Sequence, residues 1–395
     1  MGKKEKKKGS VGLVVLSFLA GVGVTLLLLV GVGPGMGASI AQTYTLNWAA
    51  RLIERYYYQP VESETLYLSA IRGAVASLED PYAGYYTKEE YRAILQANSG
   101  EYRGIGVLLA AKEDGTVYIS NVYENSPASK AGIQVDDVVV SMTGKEVSSE
   151  TLEEILNAVK ANQDEVVSMT IQRNGQTLRF DLKQEAIQIQ RVHMRMVSDS
   201  AVIKIDEFHG DCVQEFEKAL EESQKEMAKS IVLDLRNNPG GGLTEAKGIA
   251  NMLLDQGVLM SVRTRNGHET FEYTTDGKLT ELPIVVLINE NSASASEMLA
   301  GALQDRDAAV IVGVQSFGKG IVQTTMPIPF AGHIKFTTAG YYTPNGHSIH
   351  GKGITPDVVA ALPESIKEKP LRELTEPEDT QLQKALDILN KENQE

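Results

Sequence analysis

The spacing of apolar and polar residues changes character several times along the chain, and each change marks a segment. Residues 11–33 form an apolar run without a charge. Residues 43–98 show helical spacing and carry Trp48, Tyr56, Tyr57, Tyr58 and Tyr67, which reads as a packed helical cap. Residues 101–184 turn to short alternating runs, with strands expected at Gly106–Ala110, Val117–Val122, Asp137–Met142, Val166–Arg173 and Thr177–Leu182. One helix, Thr151–Lys160, lies among them, and a helical turn starts at Pro127 with Ser126 as its cap. From 186 to 362 the pattern is α/β. Ile231–Leu235, Ile284–Ile288 and Ala309–Val312 are continuous apolar runs, as expected of strands covered on both faces. Helices near Leu243–Leu254 and Ala295–Gln304 alternate with them, which implies right-handed crossovers in a mainly parallel sheet. The charged stretch 363–395 reads as a surface helix or a partly disordered tail.

Composition narrows the function class. A net charge of −14 argues against a nucleic-acid partner, because phosphate binding needs clustered Lys and Arg. Cys212 is the sole cysteine, so no intramolecular disulfide forms, and its place in the helical stretch 211–228 suits a buried thiol. The one basic cluster, Lys3 to Lys8, precedes the apolar run, which is as long as the roughly 20 residues a bilayer requires. Residues 1–10 then form a cytoplasmic basic tail and 11–33 a single transmembrane anchor, with everything after it exported. A cleaved signal peptide is the rival, since small residues at 38–41 offer a cleavage site, but the apolar run exceeds the usual length of such signals.

Unusual chemistry gathers at the ends of the core strands. In Asn289-Glu290-Asn291-Ser292-Ala293-Ser294-Ala295-Ser296-Glu297 an apolar strand gives way to a helix start, where a hydroxyl can attack a carbonyl and unpaired N–H groups can meet the developing oxyanion. Helix capping is the plainer role of such serines, and spacing does not choose among Ser292, Ser294 and Ser296. In Ser316-Phe317-Gly318-Lys319-Gly320-Ile321-Val322-Gln323 a lysine stands between glycines. Burial there lowers an ammonium pKa and makes lysine a competent general base for serine. The segment imitates a phosphate-binding loop, yet Gly320 stands where a magnesium-holding Ser or Thr is needed and a β-branched run follows. A third loop, Asp234 to Gly242, follows Pro239 with three glycines whose N–H groups suit an oxyanion or a tight turn. The six histidines are scattered, and His347 and His350, three apart in a Gly-rich loop, suit loop hydrogen bonding better than a metal clip. Neither a metal nor a cofactor is expected.

Taken together, these loops resemble those of the C-terminal processing peptidases, or tail-specific proteases. The resemblance rests on Leu233 to Gly241, Ser292 to Glu297 and Phe317 to Gln323, and extends from Tyr44 to Val358 through Asp80-Pro81-Tyr82 and Gly353-Ile354-Thr355-Pro356-Asp357. It implies an α/β protease core of crotonase-like βαβ layers at 186–362, an inserted β-rich PDZ domain at 101–184, a helical region at 43–98 and a charged tail at 363–395. It implies Ser294 as nucleophile, Lys319 as general base, Gln323 as the group orienting that lysine, and Gly240 and Ala295 as oxyanion donors. In the PDZ region, Arg103-Gly104-Ile105-Gly106-Val107 matches the loop that cradles a terminal carboxylate, and Ser126 to Ile133 matches the following helix and turn. Departures are Val135-Asp136-Asp137, where the family often has Pro-Gly-Asp, and Asn291 in place of a frequent glycine. The function implied is a serine endopeptidase that takes exported proteins by their exposed C-termini and works as a homodimer on the outer face of the cell membrane. The rivals are a tail-binding scaffold without activity and a crotonase-like acyl-CoA enzyme.

Overall fold

Helical spacing in the N-terminal region produces α1 (Ile40–Tyr56) and α2 (Ser63–Ala76) in the computed structural model, which describes residues 17–18, 20–22, 40–98, 101–112, 114–162, 165–367 and 369–392. The chain divides into two units, Met1–Glu79 and Asp80–Glu395. In the first, Tyr67 donates to Asn47 Oδ1 at 2.5 Å and ties α2 to α1. Four of its five aromatics, Trp48, Tyr56, Tyr57 and Tyr58, are exposed and do not form the expected packed cap. The basic tail 1–10 and the expected anchor 11–33 lie outside the described residues, apart from positions 17, 18 and 20–22. Among the described residues no helix is long and apolar enough to cross a membrane.

The second unit opens with β1 (Gly84–Thr87) and α3 (Lys88–Asn98), so the region read as wholly helical contains a strand; its Tyr-Tyr-Thr run favours extended backbone. The β-rich region follows: β2 (Glu101–Gly104), β3 (Val107–Ala111), β4 (Val117–Val122), α4 (Pro127–Ala131), β5 (Val138–Met142), β6 (Lys145–Glu146), α5 (Leu152–Ala161), β7 (Val166–Arg173), β8 (Gln176–Lys183) and β9 (Glu185–Gln188). Strand order is β3-β4-β5-β7-β8, with β6 on β5, and β2 pairs with β9 in a separate ribbon. Alternation explains the core: Val117 and Ile119, Val167, Met169 and Ile171 face inward to meet Met142 and Ile155. Ser126 caps α4 by accepting the Ser129 N–H at 3.1 Å. At the unusual Val135-Asp136-Asp137 turn, Asp136 takes a left-handed φ of 70° and Asp137 closes it. Asp137 accepts the Gln134 N–H at 2.8 Å and two bonds from Arg173 at 2.6 Å, which hold its carboxyl below the usual range against the burial that would raise it.

Beyond β9 come β10 (Val192–Val197), β11 (Ser200–Ile205), α6 (Cys212–Lys225), β12 (Ser230–Asp234), α7 (Leu243–Leu253), β13 (Gly257–Thr264), β14 (Glu269–Thr274), β15 (Ile284–Ile288), α8 (Ala295–Asp305), β16 (Val310–Gly313), β17 (Ile321–Pro327), β18 (Gly332–Tyr342), β19 (Val358–Val359) and α9 (Thr380–Glu392). The main sheet runs β10-β11-β12-β15-β16-β19, parallel from β11 onward. The expected strands and helices of this core therefore sit where the apolar runs place them. Ile231, Leu233, Val286 and Ile288 pack beneath Phe216, Leu220, Ile249 and Leu299 of α6, α7 and α8. The alternate residues Val232, Val285 and Leu287 face the opposite way and meet Leu382, Ala385 and Leu389 of α9.

That second layer corrects the reading of 363–395 as a surface or disordered tail. The helix buries a stripe at i, i+3, i+4 and i+7, which is amphipathic packing. It is also locked by charge: Arg236 pairs with Asp234 at 2.7–2.9 Å and with Asp379 at 2.8 Å, all three buried. A second sheet has the order β1-β18-β13-β14 with β17 on β18, and its strand β18 reaches the loop after β15 through Tyr341, which donates to the Ser294 carbonyl.

Candidate active site

Because β12 and β15 are parallel neighbours, the loops leaving their C-terminal ends lie side by side. Asn238, fully buried in the first loop, organises the second. Its carbonyl accepts the Ala293 N–H and the Ser296 hydroxyl, both at 3.0 Å. Ser292 donates to the Leu235 carbonyl at 2.8 Å and accepts the Asn289 N–H at 2.9 Å. The hydroxyls of Ser292 and Ser296 are thus committed to backbone in fully buried positions. Ser294 is the partly exposed one, at the N-cap of α8 with φ 57° and ψ −115°. Geometry separates three serines that spacing left equivalent. A serine held in so sparsely populated a conformation marks a strained turn of the kind that clusters at functional sites.

Gly240 explains the glycines opposite. Its φ is 101°, and a Cβ there would lie 2.7 Å from the Ala293 carbonyl oxygen, 2.8 Å from Ser294 Cβ and 2.9 Å from the Ala295 nitrogen. Backbone meets backbone at the base of Ser294, which only glycine allows. The Gly240 N–H, however, donates to Asn238 Oδ1 at 2.9 Å, so in this conformation it is engaged within the loop. Ala295 opens α8, where a helix N–H has no acceptor in the helix itself.

Lys319 precedes β17. Its main chain is tied to the Ser294 loop by two groups that the sequence reading gave no role. Glu297, 1% exposed, accepts the N–H groups of Ser294 and Lys319 on Oε2 at 2.8 Å each, and the Gly318 N–H and Ser316 hydroxyl on Oε1 at 2.6 Å each. The buried Tyr341 hydroxyl lies 2.8 Å from the Ser294 carbonyl and 2.5 Å from that of Lys319. Glu297 was readable in principle, since a Glu three residues after a Ser N-cap is a capping-box signature. Tyr341 lies 47 residues from Ser294 and carries no local signal.

The Lys319 side chain takes a different direction from the one implied. Its Nζ stands 4.7 Å from the centroid of the Tyr82 ring, and no hydrogen bond joins it to Ser294 or Gln323. Burial, helped by the like charge of Lys335 and opposed by Glu297, lowers its pKa from the ordinary lysine value. Gln323 turns its amide to the Ile321 carbonyl and Thr337 Oγ1, 3.4 Å from each.

In the β-rich region, Gly104 ends β2, Ile105 is buried, and Val107 begins β3. Gly106 has φ 87°, and a Cβ there would overlap Ser126 Cβ at 2.1 Å. The Tyr123 N–H donates to Gly106 O at 3.0 Å and the Ala128 N–H to Ile105 O at 2.9 Å, bracing the loop against α4. Among the described residues β3 pairs with β4 alone and leaves its other edge open. Among the described residues no cluster of His, Cys, Asp and Glu could hold a metal. Cys212 is fully buried, and its thiol is pushed up to about 12 by burial and then by Glu245 and Glu215. It carries no nucleophilic role.

Residues 199–360 match the model of peptidase family S41, residues 118–173 that of the PDZ domain, and residues 37–90 that of the activating protease CtpB N-terminal domain. A probable CtpA-like serine protease of Staphylococcus aureus (strain COL) is 36% identical over 317 residues, which are 79% of this chain and 64% of the relative. Another from Staphylococcus haemolyticus (strain JCSC1435) is 36% identical over 323 residues, 81% of this chain and 65% of that protein. The chain therefore spans a little under two thirds of the length of these relatives. In fold it is similar to a photosystem II D1 C-terminal processing protease, at 24% identity and TM-score 0.51 over 82% of this chain and 95% of that one. It is likewise similar to a putative S41 protease from Bacteroides fragilis NCTC 9343, at 17% identity and TM-score 0.55 over 91% and 99%.

Proposed function

We propose that this chain, which belongs to the C-terminal processing peptidases of family S41, is a serine endopeptidase that cuts exported proteins selected by their C-termini. The observation that carries this is the joint anchoring of Ser294 and Lys319 by one carboxylate oxygen of Glu297. Two loops 25 residues apart in sequence are bolted together at their main chains by that one oxygen.

The chemistry follows. The Ser294 oxygen attacks a peptide carbonyl as its proton passes to the neutral amine of Lys319, and the oxyanion forms beside the Ala295 N–H. The ammonium returns the proton to the leaving amine, and the peptide C–N bond breaks. Water, giving a proton to the same lysine, then attacks the ester; the ester C–O bond breaks and the ammonium returns the proton to Ser294 Oγ. The lowered pKa of Lys319 supports the role, since a base must be uncharged to accept a proton. Gly240 joins as second donor only if its N–H turns from Asn238, and Gln323 orients the lysine only if its amide turns from Thr337.

Both conditions describe a resting enzyme that needs engagement to assemble. The open edge of β3 after the braced Gly104–Val107 loop supports strand addition by a substrate tail, with the loop N–H groups meeting its carboxylate. Tail capture in the PDZ domain then signals to the Lys319 loop. The lysine-led apolar run at 11–33 holds the enzyme at the membrane with its catalytic part outside, and the exposed aromatics of α1 support homodimer formation.

The test is cleavage of unfolded casein by the full chain in detergent, beside Ser294→Ala and Lys319→Ala. Loss of cleavage in both supports the dyad. Cleavage surviving in both defeats it, and a chain that binds C-terminal peptides without cutting is the scaffold.

A further inference from the structure

We propose that Tyr82 is a positioning residue that parks the Lys319 ammonium on its ring in the resting enzyme, so that the lysine must leave the ring before it can serve Ser294. The inference rests on the reading of Lys319 as general base. It starts from the placement of Nζ 4.7 Å from the Tyr82 ring centroid, within the reach of a cation–π attraction. No other hydrogen bond or ion pair holds that nitrogen among the described residues.

The ring is placed by backbone, so it does not depend on the lysine for its position. Asp80 accepts the Tyr82 N–H on Oδ1 at 2.9 Å and the Thr337 N–H on Oδ2 at 3.3 Å, which fixes the turn to β18. Immediately after it, β1 zips onto the same strand with Gly84 opposite Lys335. Thr337 also receives the Gln323 amide, so one threonine holds the turn that carries the ring and the glutamine that is absent from the lysine. The parked lysine and the averted glutamine belong to one arrangement.

The charged surroundings give the arrangement a direction. Lys335 on β18 repels the ammonium and Glu297 attracts it from the main-chain side. Asp80 stands in the turn itself with His350 close to it, and Tyr341 lies buried under the Lys319 carbonyl. Among these groups the Tyr82 face attracts the ammonium and has no such pull on the amine. It therefore favours the protonation state that cannot accept a proton, and places it away from the hydroxyl. Tyr82 is only partly buried, so altering its ring disturbs little else.

The test reads the lysine directly. Full chain in detergent is briefly treated with isotopically labelled acetic anhydride at pH 8, and acetylation of Lys319 and Lys335 is quantified by peptide mass spectrometry. Tyr82→Leu should raise the Lys319 rate by roughly 2- to 30-fold, the span of cation–π strengths, and leave Lys335 unchanged. Tyr82→Phe, which keeps the ring, should label as the unaltered chain does. The acid limb of the kcat/KM profile on casein should move to lower pH in Tyr82→Leu. Equal Lys319 labelling with and without the ring overturns the proposal, as does a rise shared by Lys335. Repeating the series in Ser294→Ala, which cannot turn over, separates failure of this contact from failure of the dyad.

Discussion

Lys319 is held through its main chain, whose N–H donates to the buried Glu297 carboxylate at 2.8 Å, while its amine lies 4.7 Å from the centroid of the Tyr82 ring. The same oxygen binds the Ser294 N–H, so the proposed base and nucleophile are indexed to one atom. Main chains anchored together, with the amine placed on a ring, suit the proposed enzyme that assembles its site only when substrate engages.

Replacing Glu297 tests that indexing. Glu297→Gln puts an amide N–H where a carboxylate oxygen met two donors, leaving buried N–H groups unpaired. Stability should fall by roughly 1–3 kcal/mol in urea denaturation. Turnover of casein should fall by about 100-fold, the scale of a one-ångström misplacement.

Gly240 offers a steric test. Gly240→Ala forces a Cβ against the Ala293 oxygen, Ser294 Cβ and Ala295 nitrogen in a left-handed conformation. A loss of roughly 1–3 kcal/mol is expected from the backbone conformation alone. Because the displaced atoms include the nucleophile's own Cβ, kcat should drop more steeply than the stability change suggests, as steady-state assays beside thermal melts will show.

The lowered pKa of Lys319 has a stability consequence whose sign follows from linkage. The folded state sheds this proton at a lower pH than the unfolded chain does. Between the depressed folded value and the ordinary 10.5, the unfolded chain binds more protons, so stability rises with pH across that window. Lys319→Met removes the group, so it should stabilise the protein at neutral pH, with the gain vanishing as pH climbs past 10.5. Chemical denaturation of both proteins from pH 7 to 11 measures it.

The C-terminal helix carries a prediction about the fold. Burial opposes the Arg236 charge, but Asp234 and then Asp379 outweigh that cost and push its pKa further up, so the guanidinium stays charged in the core. Asp379→Ala leaves it half-paired, at a cost of roughly 3–5 kcal/mol. It should also loosen α9, seen as faster amide exchange at Leu382, Ala385 and Leu389.

Much of this was legible in the chain. The runs at 231–235 and 284–288 are apolar on both faces because each is covered twice, and that alone marks them as central strands. The PDZ strands announce themselves by alternation, and the loops of the site by glycines and serines at strand ends. What escaped depends on distance. Nothing near Arg236 points to Asp379, 143 residues on, so α9 reads as a tail although it is a core layer. Nothing near Lys319 points to Tyr82, since a side chain's direction is set by what folds against it. Resemblance supplies the partners of an assembled site, whereas this resting chain places Lys319 on Tyr82 and Gln323 on Thr337. The three serines show the converse: equivalent in spacing, they separate once Leu235 and Asn238 claim two of the hydroxyls.

The most direct test of the dyad is a crystal structure of the chain with a peptidyl boronic acid in the site and a C-terminal peptide in excess. The account predicts boron bonded to Ser294 Oγ, with Lys319 Nζ moved from Tyr82 to within about 3 Å of that oxygen, the reach of a general base. Boron on Ser294 with the lysine still on the ring, or boron on another residue, would contradict it.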